Sequence, residues 1–253
     1  MSAELLTHEV QQRRTGAGVL GLTLGTFAFF GLAVSGSLGT ALDEMTKSFP
    51  KGLTAFLGAN VPGGYVVGEI FTLIAPIAMV AYAVLAGASA LAGEEASGTM
   101  SILSAQPVTR GRILAAKATG LAVSLTAIAL LFWGGMTLAS VIFGSKITAG
   151  PLAAGTVHLL FLALAFAALS LAVGAATGRP EMASSTAGGI AVVAYLTNAM
   201  LPLAGMDRWA ELSPGTTPWA ATPAPWNRPR PPGCPDGDRR HCAGHRGAHL
   251  PSP

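Results

Sequence analysis

Few residues in this 253-residue chain stand in patterns that perform chemistry. Gly16-Ala17-Gly18-Val19-Leu20-Gly21 has the spacing of a dinucleotide-binding turn, but that turn needs a strand ahead of it and a helix behind it. Here the hexamer lies inside an apolar run. His8-Glu9 begins as a zinc-protease helix does, yet the second ligand position is Gln12. Cys234, His241, Cys242, His245 and His249 are metal-ligating types at spacings that match no structural zinc site. The sequence holds no glycine–lysine pair of a phosphate loop and no G-x-S-x-G nucleophile turn. The reading is a chain with no catalytic, cofactor-binding or metal-ligating residues, not an enzyme. Two ionisable side chains fall at the ends of apolar runs, Glu69 and His158. Ionisable groups at membrane depth mark substrate pathways, and Glu69 is the pathway candidate, although hydration near an interface also accommodates both.

The densest polar feature is the stretch 93–117, GEEASGTMSILSAQPVTRGRILAAK, which carries Glu94, Glu95, Arg110, Arg112 and Lys117. The elements around it are apolar. The chain is 51% hydrophobic and 11% charged, against about 25% charged residues in an average soluble domain. That leaves too little polar surface to cover a water-soluble globule. Residues 15–34, 70–91, 118–143, 152–176 and 183–203 are charge-free windows of the roughly 20 residues needed to cross a bilayer. Each must be helical, because in hydrocarbon a backbone amide finds a partner only within its own helix. The predicted fold is therefore all-α: a polytopic transmembrane bundle with five spans. Gly21 and Gly25 have the small-xxx-small spacing of close helix packing, and Pro76 predicts a kink in the second span.

Lysine and arginine counts set the expected orientation. With the N-terminus inside, inner segments carry Arg13, Arg14, Arg110, Arg112, Lys117 and Arg179; outer ones up to 213 carry Lys47, Lys51, Lys146 and Arg208. The bias favours a cytoplasmic N-terminus in the plasma membrane. The basic residues form no continuous patch, so nucleic acid is not an expected partner. The outer loop 42–69 is Gly/Pro-rich, with a short interfacial helix expected at 53–57. Thr177-Gly178-Arg179-Pro180-Glu181 reads as a tight inner turn. From Pro214 the chain changes character: ten of its 17 prolines and both cysteines fall in 214–253, which reads as a disordered tail. The organisation is thus an amphipathic segment 1–14, a membrane domain 15–213 and the tail 214–253.

Within 93–117, Glu94 and Glu95 are expected to open a short helix with Leu103 on its apolar side. Pro107 would end it, and Arg110, Arg112 and Lys117 would anchor the third span at the inner surface. A helix charged at one end and apolar along one side suits docking into a groove on another protein. The order Glu94-Glu95, Gly98-Thr99, Leu103, Pro107-Val108, Arg110 and Lys117 closely resembles the permease family of type 2 ATP-binding-cassette exporters. Gly64-Tyr65, Glu69-Ile70-Phe71, Ala75-Pro76 and Leu212-Ser213-Pro214 add to the resemblance, which covers about residues 1–214.

The resemblance implies that 94–106 is a coupling helix seated in a separate ATPase subunit, which would hold the ATP and magnesium. Glu94, Glu95, Gly98, Thr99, Leu103, Pro107 and Arg110 are the coupling candidates. It also implies a homodimer or heterodimer of permeases, residues 3–14 as an elbow helix on the inner face, and outward movement of amphiphilic compounds, as in multidrug efflux. Family members have a sixth span after the Ser-Pro; here the Pro/Arg/Gly-rich tail stands in its place, and the expectation is a reading frame lost near Pro214. The rival reading is a polytopic scaffold or regulatory protein that transports nothing.

Overall fold

Residues 3–48, 64–96, 110–143 and 149–203 are described by the structure, a computed structural model. Every element among them is helical: α1 (Ala3–Lys47), α2 (Gly64–Glu69), a π-helical turn (Ile70–Ile74), α3 (Ala75–Ala96), α4 (Arg110–Ile142), α5 (Ala149–Thr177) and α6 (Pro180–Leu203). Four stretches are long and apolar enough to cross a membrane: Gln11–Val34, Val66–Ala90, Gly111–Ile142 and Ala149–Thr177. The fifth expected span falls on α6, which is helical over 24 residues. The four are counted among the described residues. The tail 214–253 and the segment 53–57 lie outside the described residues.

α1 corrects one expectation, the loop beginning at 42. It is helical from Ala3 to Lys47, 45 residues that include both the segment 3–14 and the span that follows. The interruption expected at Pro76 is present as the π turn just ahead of it, where the Ala75 N–H donates to Ile70 O. Proline supplies no amide proton and its ring crowds the carbonyl four residues back. The wider turn accommodates both effects, and π turns often sit at functional sites. The inner turn is found as expected. Gly178 takes φ 65°, a left-handed conformation that suits glycine at a helix C-terminus. Its N–H donates to Gly174 O at 2.9 Å, and Pro180 starts α6, where no amide proton is needed.

Polarity does not tell these helices which face to bury, because lipid is as apolar as their own side chains. Size does. Along α5 the buried positions are Leu152, Gly155, Thr156, Leu159, Ala163, Phe166, Ala167, Ser170, Leu171 and Gly174, a helical stripe rich in small residues. Large apolar side chains point outward instead: Val19, Leu22, Phe30, Leu85, Val141 and Phe161 are all at least 60% exposed. An exposed apolar surface this extensive belongs against lipid. Threonines within the spans bond back to their own helix, as with Thr126 Oγ1 to Ala122 O and Thr156 Oγ1 to Leu152 O, both 2.8 Å.

α1 packs chiefly on α4 and α3 on α5, with α4 against α5 and α6 against both α3 and α5. The α1–α4 contact is the closest approach of backbones. A Cβ added at Gly25 would lie 2.7 Å from Leu131 O, and one at Gly135 would overlap Gly25 O. The expectation for Gly21 and Gly25 is met: on α4, Gly25 faces Leu131 and Gly135, and Gly21 faces Leu131 and Ile128. Phe71 and Phe132 close the centre edge-to-face at 5.5 Å. On the other contact, Ser170 Oγ of α5 donates to Val84 O of α3 at 2.7 Å.

Two measurements check this packing by thermal unfolding in detergent. Gly25→Ala overlaps backbone and is expected to destabilise by about 1–3 kcal/mol, Gly21→Ala less because the flexible end of Leu131 can move, and Gly18→Ala not at all because nothing lies within 4 Å. Ser170→Ala leaves the interhelical bond unmade and is expected to cost about 1 kcal/mol.

Candidate functional site

The α3–α5 pairing fixes the levels of the residues along both helices. Ser170 bonds to Val84 and, further along both helices, Gly174 lies beside Ala88 and Ala92, so these two helices run parallel; the 86-residue offset of the Ser170–Val84 bond then puts Thr72 and His158 near one level. α6 runs back antiparallel, its Ala187 clustered with Val84 and Phe166. That direction brings Tyr195 and Asn198 up to the level of His158.

These three helices, with the π turn, enclose a cavity of about 350 Å³. Its polar lining is Thr72, His158, Tyr195 and Asn198; its apolar walls include Val80, Val84, Leu162 and Phe166. The polar groups therefore sit at one end and the apolar walls extend toward the middle of the bundle. From His158 to Phe166 the helix advances roughly 12 Å. Ile77, Val192 and Leu196 line the margin and are 50%, 58% and 51% exposed, so the mouth opens on the outer surface between α3 and α6. Among the described lining residues there is no Asp, Glu, Lys or Arg.

His158 is half-buried, and its Nε2 is buried with no hydrogen-bond partner among the described residues. An unmet buried donor or acceptor costs about 1–3 kcal/mol. The sequence places His158 at a span end, but not in a cavity; the structure shows that its ring is part of an internal wall. Glu69, the pathway candidate, is half-buried at the α2–π junction and does not line this cavity. Thr72 Oγ1 donates to Gly68 O at 2.8 Å. The carbonyl of Thr72 loses its usual donor four residues on, because that residue is Pro76.

Many of the described charged residues lie at the opposite end, although Asp43, Glu44 and Lys47 in the last turns of α1 and Glu69 before the π turn do not. Arg13 of α1 donates from Nη1 to Ala86 O of α3 at 3.1 Å, which sets the start of α1 beside the end of α3. Ala90, Ile113 and Leu171 cluster together, which adds the start of α4 and the end of α5 to that end. Arg13, Arg14, Glu94, Glu95, Arg110, Arg112, Lys117 and Arg179 therefore occupy one end of the bundle. Glu94 and Glu95 lie in the last turn of α3, where the sequence reading has them opening a new short helix. Arg110 is the first residue of α4. Gly98, Thr99, Leu103 and Pro107 lie outside the described residues. Lys117 departs from its expected surface role: it is 3% exposed and packed within the bundle, whereas Arg112 is exposed as expected.

No cluster of metal-ligating side chains occurs among the described residues. Comparison with curated proteins and with solved structures finds no match. The family model described as "ABC-2 family transporter protein" matches residues 3–222, which is most of the chain and extends past the composition change at 214. A bundle that is all-helical among the described residues, with four membrane-length apolar helices, fits a membrane protein of that family. The chain belongs to the ABC-2 transporter family and is a membrane permease component of an ATP-binding-cassette transporter, a role that pairs it with an ATPase subunit.

Proposed function

We propose that the chain is the transmembrane subunit of an ATP-driven exporter of the plasma membrane. It would couple ATP hydrolysis on a separate subunit to the outward movement of a hydrophobic or amphiphilic compound. The observation that carries this reading is the family match over residues 3–222. The gathering of charge at one end of the bundle adds a physical reason. Six of these charges, Arg13, Arg14, Arg110, Arg112, Lys117 and Arg179, are basic, and lysine and arginine favour the cytoplasmic side. That end is then the one facing the ATPase, with the N-terminus cytoplasmic.

The coupling element on this reading is the connection between α3 and α4. It begins at Glu94 and Glu95, continues through Gly98, Thr99, Leu103 and Pro107, and ends at Arg110. ATP and magnesium bind on the partner, and closure of the partner pair tilts α3 and α4 through this connection. Two copies of the permease, identical or related, complete the pathway. A chain that scaffolds without transporting is the rival, and it needs no such connection to an ATPase.

Co-purification from membranes separates the two. The transport subunit retains an ATPase through solubilisation, and Glu94→Lys combined with Glu95→Lys weakens that association and its ATPase activity at least tenfold. An unchanged complex with unchanged activity removes these residues from coupling. Orientation is checked with Cys234→Ser and Cys242→Ser in the background and Ser101→Cys as the reporter. An impermeant thiol reagent is expected to label it only after the cells are permeabilised.

A further inference from the structure

The side chains of this span that line the cavity keep helical spacing only as far as Pro76. Val84, Ala81, Val80, Ile77 and Pro76 form one stripe along α3. At 3.6 residues per turn the next place on that stripe falls to residue 73, four before Ile77 and seven before Val80. Thr72 stands there instead of Leu73, with Phe71 beside it. The cause is the π turn at Ile70–Ile74, which holds one residue more than an α-helical turn. Everything ahead of it is moved round by one place, about 100°.

We propose that this turn is a register switch with two settings. In the setting the structure shows, Thr72 faces the cavity. Phe71 meets Phe132 edge-to-face at 5.5 Å, and Ile70 and Val66 lie against Gly31 of α1. In the other setting the turn closes to α-helix and each place passes to the next residue. Leu73 then faces the cavity, Thr72 meets Phe132, and Phe71 and Val67 lie against Gly31. The cavity wall exchanges a hydroxyl-bearing side chain for a hydrocarbon one, while α3 from Pro76 onward keeps its orientation. The switch is a property of this chain and does not depend on the exporter reading.

Three features bring the settings within reach of one another. Pro76 selects the present one, because in an uninterrupted α-helix its ring would crowd the Thr72 carbonyl and leave it without a donor. The π turn avoids the crowding, with the Ala75 N–H reaching back five residues to Ile70 O. Thr72 can leave the cavity without losing its own hydrogen bond. Its Oγ1 donates to Gly68 O at 2.8 Å, four residues back on the same span, so the partner turns with it. The segment that must turn is also short, since α2 has six residues.

The experiment uses the full chain in lipid nanodiscs, with Cys234→Ser and Cys242→Ser. Gly31→Cys is paired with Val66→Cys or with Val67→Cys, and the rate of copper-catalysed disulfide formation reads which residue faces α1. A Cβ at Gly31 lies 3.4 Å from Val66 Cγ1, so the first pair is placed to close in the present setting. In the starting chain the Val66 pair is expected to close faster, with the Val67 pair closing slowly. Pro76→Ala removes the ring and supplies the missing amide. It is expected to reverse that order, changing the ratio of the two rates by about a hundredfold, the effect of a proline in a helix interior. Deleting Leu73 takes out the extra residue and leaves a regular helix with Val66 still against Gly31. In that chain the Val67 pair is expected not to close, and Pro76→Ala is expected to leave the ratio unchanged. A Val67 pair that never closes in the starting chain, an order indifferent to Pro76→Ala, or a Val67 pair that survives the deletion overturns the switch. Should the deleted chain not fold, the order of the two pairs before and after Pro76→Ala decides by itself.

Discussion

A peptide amide or carbonyl in hydrocarbon has no water to bond, and this constraint shapes the rest of the molecule. It makes each apolar stretch a helix and turns threonine hydroxyls such as those of Thr126 and Thr156 back onto their own backbone. It also confines irregular backbone to places sheltered by protein. The π turn at Ile70–Ile74 is such a place: Ile70 and Phe71 are buried, and Phe71 packs on Phe132 of α4. With backbone bonding satisfied inside each helix and no hydrophobic drive between them, association depends on how closely backbones approach. Gly25 against Gly135 and Ser170 against Val84 are the two closures on which the bundle rests.

The same packing separates two kinds of polarity. Arg13, Arg14, Glu94, Glu95, Arg110, Arg112 and Arg179 lie at the end shared by the start of α1, the end of α3, the start of α4 and the turn between α5 and α6. Neutral hydrogen-bonding groups lie toward the other end, inside the cavity. α3 joins the two. It carries Pro76 at its beginning and Glu94 and Glu95 at its end, a rod of 22 residues and about 33 Å. It is held to α5 by Ser170 and to α1 by Arg13. The wall of the cavity and the charged end are thus parts of one helix.

Much of the architecture was legible in the residues. Uninterrupted apolar windows gave five of the long helices, Gly21 and Gly25 marked a close contact, Pro76 marked an interruption, and Gly178-Arg179-Pro180 marked a turn. The resemblance carried by Glu94 through Lys117 pointed to the family that the match over residues 3–222 shows. Other features were not legible. Nothing in a uniformly apolar helix announces which neighbour it meets, so the pairing of α1 with α4 and of α3 with α5 was hidden. Lys117 reads as a surface anchor because lysine usually is one, but its neighbours bury it. Glu94 and Glu95 read as a helix start because acidic residues favour that end; α3 instead runs through them.

The site shows the division most clearly. His158, Tyr195, Asn198 and Thr72 are scattered over more than a hundred residues, and each alone resembles a tolerated polar residue in a span. The sequence by itself determined that the chain forms lipid-embedded helices with its charges outside the apolar windows, because length, hydropathy and backbone bonding are local properties. Only the tertiary structure decided that those four side chains share one level around a cavity. That outcome depends on the register between helices, which is set by the size and shape of contacting residues rather than by their polarity.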